Sequence, residues 1–260
     1  MMAATDTFSG LARYYDAIMA HVDYDRWFLV TTTLSGLLPE PFVHLDAACG
    51  TCVLVNKLRR AGWTTVGLDL SLDMVREGQK GRRDAVTGVA DLRALPVHGT
   101  VDYTTCLFDS VNFMLSVEDM RKAIAELSGA LRDGGLLYFD VVTERMVLDH
   151  FAGQKWTETE GNVRTTWECA YNRKTSTAET RIQVNSHPAS TIYERIFEQE
   201  AIEEAVTDAG LEILGVFDAE GWRSPSKRTI RMDFVAVKGH AHDYKRAFKD
   251  IEKRVRRLFK

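Results

Sequence analysis

The run Val43-His44-Leu45-Asp46-Ala47-Ala48-Cys49-Gly50-Thr51-Cys52 constrains this chain more than any other stretch. An apolar strand, residues 43–45, enters a turn of small residues and leaves it as an apolar-periodic segment through Val53, Leu54, Val55 and Leu58. The hydrophobic period changes from two to about 3.6 across the turn, which predicts a strand, a tight turn and a helix. Small residues let the backbone approach a ligand closely, and the helix start presents unpaired N–H groups to an anionic or polar edge. A second strand, residues 64–68, ends in Asp69, about 20 residues past the turn, where a carboxylate can accept hydrogen bonds from ribose hydroxyls. Strand, turn, helix and acid together point to a site for a nucleotide cofactor.

The same alternation continues to about Val142, with helices expected over 54–61, 72–80 and 116–131, the last opened by Ser116 as N-cap. It implies an α/β chain with a Rossmann-like, doubly wound, mostly parallel sheet and right-handed crossovers. Ahead of it, Leu11, Tyr15 and Ile18, then Trp27, Val30 and Leu34, recur at helical spacing on either side of a polar turn at Asp23 and Asp25. Beyond it the period falls to two at Trp167, Cys169 and Tyr171 and at Ile182 and Val184, followed by an apolar stretch over 192–197. Turns at 172–174 and 186–190 make this a three-stranded antiparallel insertion after strand five. A helix over 200–209 and strands over 211–217 and 230–237 complete the core. The chain thus divides into an N-terminal helical cap (1–42), a core (43–149 and 199–239), an antiparallel lid (150–198) and a basic amphipathic C-terminal helix (240–260).

In order and spacing, these motifs resemble the class I S-adenosylmethionine-dependent methyltransferases. The family's D-x-[GA]-C-G-T-G turn is matched by Asp46, Ala48, Cys49, Gly50 and Thr51, with Cys52 where the family carries glycine. A side chain there would crowd the methionine moiety or turn the loop. The resemblance implies that Asp69 holds the ribose, with Leu70 and Met74 behind it, and that Asp91 of Ala90-Asp91-Leu92 contacts the adenine amino group. Phe108-Asp109-Ser110-Val111-Asn112 follows a strand over 101–107, where members place cofactor and substrate contacts, and Leu131-Arg132-Asp133-Gly134-Gly135 resembles the turn into strand five. Tyr15-Asp16-Ala17-Ile18-Met19 and the following Tyr24 and Trp27 are similar to the N-terminus of bacterial small-molecule methyltransferases, including amino-sugar N-methyltransferases. That likeness implies a helix folded over the cofactor with Tyr15 and Tyr24 near the transferred methyl. The alternative is that these aromatics only fill a helix–sheet interface. A dinucleotide dehydrogenase would need G-x-G-x-x-G, where this chain has Ala48, Gly50 and Val53.

S-adenosylmethionine, leaving as S-adenosylhomocysteine, is therefore the expected cofactor, and a small molecule the expected acceptor. The candidates for proton or acceptor chemistry are Asp140 late in strand five, Tyr15, and His150 at the start of the insertion. For Asp140 the competing role is a hydrogen bond to backbone N–H groups. A silent nucleotide-binding protein and an RNA methyltransferase are the alternative functions. Cys49-x-x-Cys52 also has the spacing of a redox pair at a helix start, but a dithiol site gives Asp69 and Asp91 no role, and no second pair completes a metal site. A net charge of −4 provides no global basic field for nucleic acid. Arg223, Lys227, Arg228 and Arg231 form a basic cluster, read as a solvated face or an anion subsite. In the C-terminal helix Tyr244, Phe248, Ile251, Val255 and Leu258 form a stripe that most simply docks on its own domain or a sister subunit. An anionic membrane or RNA is the other option, weakened by Asp250 and Glu252 in the basic face. Residues 1–6 lack a signal pattern and no apolar run reaches the roughly 18 residues of a membrane span, so a cytoplasmic chain is expected.

Overall fold

The computed structural model describes residues 6–80, 85–239 and 244–259, so most of the N-terminal signal reading lies outside it. A 3-10 turn over Ala12–Tyr14 leads into α1 (Tyr15–Ile18) and α2 (Tyr24–Leu34), whose N-cap Asp23 accepts hydrogen bonds from the N–H groups of Asp25 and Arg26. Then follow β1 (Val43–Ala47), α3 (Val53–Arg60), β2 (Thr64–Asp69), α4 (Leu72–Gln79), β3 (Val86–Val89), β4 (Val101–Cys106), α5 (Val117–Ala130) and β5 (Leu131–Val142). The rest comprises α6 (Glu144–His150), β6 (Lys155–Glu160), β7 (Val163–Asn172), β8 (Thr177–Val184), β9 (Ser190–Arg195), α7 (Gln199–Asp208), β10 (Leu211–Asp218), β11 (Arg231–Lys238) and α8 (Lys245–Leu258).

The main sheet runs β10-β11-β5-β4-β1-β2-β3, parallel from β5 to β3, with β11 antiparallel to both β5 and β10. Strand order reverses between β1 and β4, which opens a crevice at the carboxyl ends of those two strands. One face packs Leu45, Leu137, Phe139 and Phe234 under α5 and α7. The other packs Trp27, Leu58, Tyr103, Tyr138 and Val235 under α2, α3 and α8. Each such side chain contributes roughly 1.5–3 kcal/mol by leaving water. Phe248, Ile251 and Val255 are buried in this second cluster, so α8 spends its apolar stripe on its own domain. No helix among the described residues is long and apolar enough to cross a membrane.

The antiparallel insertion has four strands, in the order β6-β7-β8-β9, one more than the alternation predicts. Strand β6 reads Lys-Trp-Thr-Glu-Thr-Glu, and its one apolar residue, Trp156, stacks on Trp167 across the ladder at 5.6 Å. An exposed edge strand needs no apolar face, so it leaves no period to read. Ile182, Val184 and Ile192 of this sheet pack against Leu11 and Ile18, and Tyr14 meets His187 at 2.8 Å. The N-terminal segment and the insertion therefore form one cover.

Candidate active site

Asp69 closes β2 with its carboxylate turned to the small-residue turn: Oδ2 accepts from the Gly50 N–H and Oδ1 from the Ser71 N–H, both at 2.8 Å. Burial pushes its pKa up, and the two N–H groups oppose that by stabilising the anion. A carboxylate has about four lone-pair positions, so acceptor capacity is left for a pair of hydroxyls. The turn passes through left-handed backbone at Ala48, Gly50 and Cys52, with φ of 63°, 53° and 62°. A Cβ on Gly50 would meet only Met74 Cε, at 3.5 Å, so this face of the loop is an open cradle floored by α4. Diol acceptor, bare backbone and apolar floor fit the nucleoside end of S-adenosylmethionine.

Cys52 occupies the left-handed position without entering the crevice. Its side chain is fully buried beside Cys49 and Val55, and its Sγ would lie 2.9 Å from a Cβ on Gly78. The expected crowding of the cofactor is thus absent, because the thiol packs backward against α4. The Cys49 and Cys52 sulfurs stand 3.8 Å apart. Hydrogen bonding to Cys52 and burial push the Cys49 thiol up, the reverse of what a reactive dithiol needs.

Below the turn, Asp46 is only 4% exposed and accepts from Thr105 Oγ1 at 2.6 Å. It supports the loop from within the sheet. With its proton given to Asp46, Thr105 accepts from His44 Nε2 at 3.1 Å, which leaves His44 Nδ1 to accept from Thr65 at 2.7 Å. Burial moves these two groups in opposite directions, Asp46 up to about 7 and His44 down to about 3.

Beyond Asp69, Leu70 is exposed while Met74 and Leu92 are buried. Asp91 pairs with Arg93, whose Nη2 lies 2.8 Å from Oδ2 and whose backbone N–H donates to Oδ1 at 2.9 Å. Arg93 holds this carboxyl below its usual range and bridges on to Asp119 at 3.2 Å. An adenine amino group would share Asp91 with Arg93.

Over the crevice, Asp16 Oδ1 accepts from Thr51 Oγ1 at 2.5 Å and Ser9 bonds Asp73 of α4, tying the N-terminal segment to both walls. Tyr15 is enclosed near Tyr24, Asp109, Asp69 and Asp16, and burial raises its pKa first, with these neighbours adding to it. Tyr24 and Trp27 stack on Phe108 at 4.9 and 4.1 Å. Phe108 and Asp109 after β4 are both left-handed, with φ of 59° and 51°, a strain that places the Asp109 carboxylate 2.7 Å from Arg231 Nη1. Arg231 also grips Asp140, which is fully buried and whose Oδ2 receives the Asp109 N–H at 3.4 Å. Burial raises Asp140 to about 6 against the pull of Arg231.

A family model described as a methyltransferase domain matches residues 45–135. YqeM of Bacillus subtilis (strain 168), named as an expected methyltransferase, is 26% identical over 62% of this chain and 66% of its own length. The crystal structure of an S-adenosylmethionine-dependent methyltransferase from Clostridium acetobutylicum ATCC 824 covers 90% of this chain and 100% of its own, at 23% identity and a TM-score of 0.76. The S-adenosylmethionine-bound structure of CalS10, an amino pentose methyltransferase from Micromonospora echinaspora, covers 86% and 96%, at 22% identity and a TM-score of 0.67. Residues 45–135 thus carry a methyltransferase domain, on a fold the chain shares with solved S-adenosylmethionine-dependent methyltransferases.

In this fold Tyr15, Tyr24, Trp27, Phe108, Asp109 and Asp140 are brought together and His150 is not. His150 ends α6, exposed, with its ring edge-on to Phe151 at 6.4 Å. The basic cluster also divides: Arg231 is held between Asp109 and Asp140, while Arg223, Lys227 and Arg228 are exposed. Arg231 lies within β11 on the same face as Asp233, whereas the other three precede the strand. A groove of about 630 Å³ near Arg223 and Arg256 lies away from these residues, and Arg256 there is already bound to the Trp222 carbonyl. Sequence reasoning missed Glu194, whose carboxyl meets Asp109 from β9. A signal existed, because Glu194 falls between buried Ile192 and Ile196 at the two-residue spacing of an inward face.

Proposed function

We propose that this methyltransferase moves the methyl group of S-adenosylmethionine to a small-molecule acceptor seated between the Asp109 loop and the lid. The observation that carries the reading is the position of Tyr15, near both the Asp69 that closes β2 and the Asp109 that follows β4. Gly50, Asp69, Met74 and the Ala48–Cys49 backbone would hold the nucleoside, with Leu70, Asp91 and Leu92 toward the base. Bound there, S-adenosylmethionine supplies an electrophilic methyl on a sulfonium. The chain's share is to hold the acceptor in line and to exclude water, for which Tyr15, Tyr24, Trp27 and the four-stranded lid form the cover. The amino pentose acceptor in the name of CalS10 supports a small molecule of that size.

Calorimetric titration with S-adenosylmethionine and S-adenosylhomocysteine tests this directly. Asp69→Asn keeps the shape but replaces the anionic acceptor, and should weaken both nucleotides by about 10- to 100-fold. S-adenosylhomocysteine release over amines, hydroxyls and carboxylates then reports turnover. If neither nucleotide binds, the reading fails; binding without turnover would favour a silent binder.

A further inference from the structure

Next to Tyr15 the carboxyls of Asp109, Asp140, Glu194 and Asp233 meet the guanidinium groups of Arg26 and Arg231. Four acids against two permanent cations leave negative charge in excess. Two features separate this from a closed structural network. Asp109 and Arg231 keep 19% and 17% of their side-chain surface, so the cluster opens to the crevice, whereas Asp140 keeps none. Asp140 Oδ1 is buried and has no hydrogen-bond partner among the described residues. A buried acceptor left over in this way marks room for a donor that the chain does not supply.

Glu194 reaches the cluster from the lid and hydrogen-bonds Asp109. Ionised carboxylates only accept, so a proton must lie between the two. The pair then holds one proton and one negative charge, beside an Arg231–Asp140 pair whose charges offset each other. We propose that Glu194 and Asp109 form the cation site for the acceptor, binding a protonated amine and taking its proton so that the nitrogen lone pair is freed. The assignment deepens the methyl-transfer reading and rests on it for its purpose.

The step balances within the site. An N–H bond of the ammonium breaks, its electron pair stays on nitrogen, and the proton joins the ionised oxygen of the pair, leaving two neutral carboxyls that return it to water when the lid opens. Burial, and Asp109 beside it, push the Glu194 carboxyl well up, so Glu194 keeps the shared proton and the Asp109 oxygen takes the one the ammonium gives up. The other ionisable groups facing the pair are Arg231 and Asp140 from the sheet, Tyr15 and Tyr24 from the cap, and Cys169 from β7. An acceptor carboxylate is disfavoured because Arg231 already carries two acids. Tyr24 and Phe108, both half-buried, add aromatic surface that favours a cation, while Trp27 is already covered by Phe108 and Arg26.

The test is binding of benzylammonium, benzyl alcohol and benzoate, alike in shape and different in charge, with and without S-adenosylhomocysteine. Benzylammonium should bind near about 1 mM and at least about tenfold tighter than the alcohol, with benzoate weakest. Glu194→Gln, and separately Asp109→Asn, should bring the ammonium to the affinity of the alcohol, while Glu194→Gln leaves S-adenosylhomocysteine affinity and thermal stability unchanged. Calorimetry in buffers of different ionisation enthalpy should show no net proton release. The proposal is overturned if the ammonium binds no better than the alcohol, if Glu194→Gln keeps that preference, or if binding expels the shared proton. Loss of nucleotide binding with the ammonium preference intact would sink the methyl-donor reading alone.

Discussion

Gly78 sits inside α4, where a helix ordinarily prefers a side chain, because the 48–52 turn presses against it. A Cβ there would lie 2.6 Å from the Thr51 carbonyl oxygen and 2.9 Å from Cys52 Sγ. Neither can retreat: Thr51 is tied to Asp16 and Cys52 is fully buried. Gly78→Ala should therefore push α4 from the loop, costing about 1–3 kcal/mol, and weaken S-adenosylmethionine, as read by thermal denaturation and calorimetry. Gly221→Ala, with nothing within 4 Å of the added carbon, is the near-neutral control. An unaltered Gly78→Ala protein would show that the loop is not clamped. Asp46, Gly50 and Asp69 were readable in the sequence because one strand–turn–helix–strand unit carries them all. Gly78 was not, since its need arises from packing across two elements, as does the backward turn of the Cys52 thiol.

Asn112, in the 3-10 turn Ser110–Phe113, fastens the lid to the core. Its Oδ1 accepts from the Val142 N–H at 3.0 Å and its Nδ2 donates to the Arg195 carbonyl at 2.9 Å, joining the end of β5 to the end of β9. Asn112→Ala leaves both backbone groups without this partner, at about 1–3 kcal/mol, and should speed amide exchange over β9 while nucleotide affinity holds. Unchanged β9 protection would assign the docking to apolar contacts alone, those of Ile196 with Val142 and Val147. Legibility at this scale follows burial. Strands β7 and β8 carry an inward apolar row and were visible; β6, exposed at the edge, was not. In β9 the sequence showed only an irregular apolar stretch, and the polar residue between Ile192 and Ile196 was the overlooked clue.

Across the whole molecule, the strand–turn–helix wall of the crevice was legible and the Asp109–Asp140–Arg231 wall was not, and chain separation explains the difference. Asp140 and Arg231 are 91 residues apart and meet only because β11 inserts antiparallel beside β5, setting Asp233 opposite Asp140. Like charges facing each other across a ladder would be unfavourable without Arg26 on Asp233 and Arg231 on Asp140. No local pattern announces such a pairing.

The buried acids and the buried histidine also give the fold a pH signature. Asp46, raised to about 7, keeps a proton in the folded chain that the unfolded chain has already lost, so its contribution to stability falls as pH rises toward and through 7. His44, lowered to about 3, stays neutral in the fold while the unfolded chain protonates below its ordinary 6.5, so its contribution falls on acidification past that point. Between about pH 8 and 6.5 the raised Glu194 and Asp140 act in the same direction as Asp46 while His44 begins to oppose them, so Asp46 is isolated by comparison with a variant that cannot titrate. Acidification across that window should stabilise the protein relative to Asp46→Asn by about 1 kcal/mol, or about 2–4 °C in Tm. Asp46→Asn cannot titrate, so the gap between the two proteins in scanning calorimetry should widen by that amount from about pH 8 to 6.5; a gap that stays constant would place the titrating group elsewhere than under the 48–52 turn.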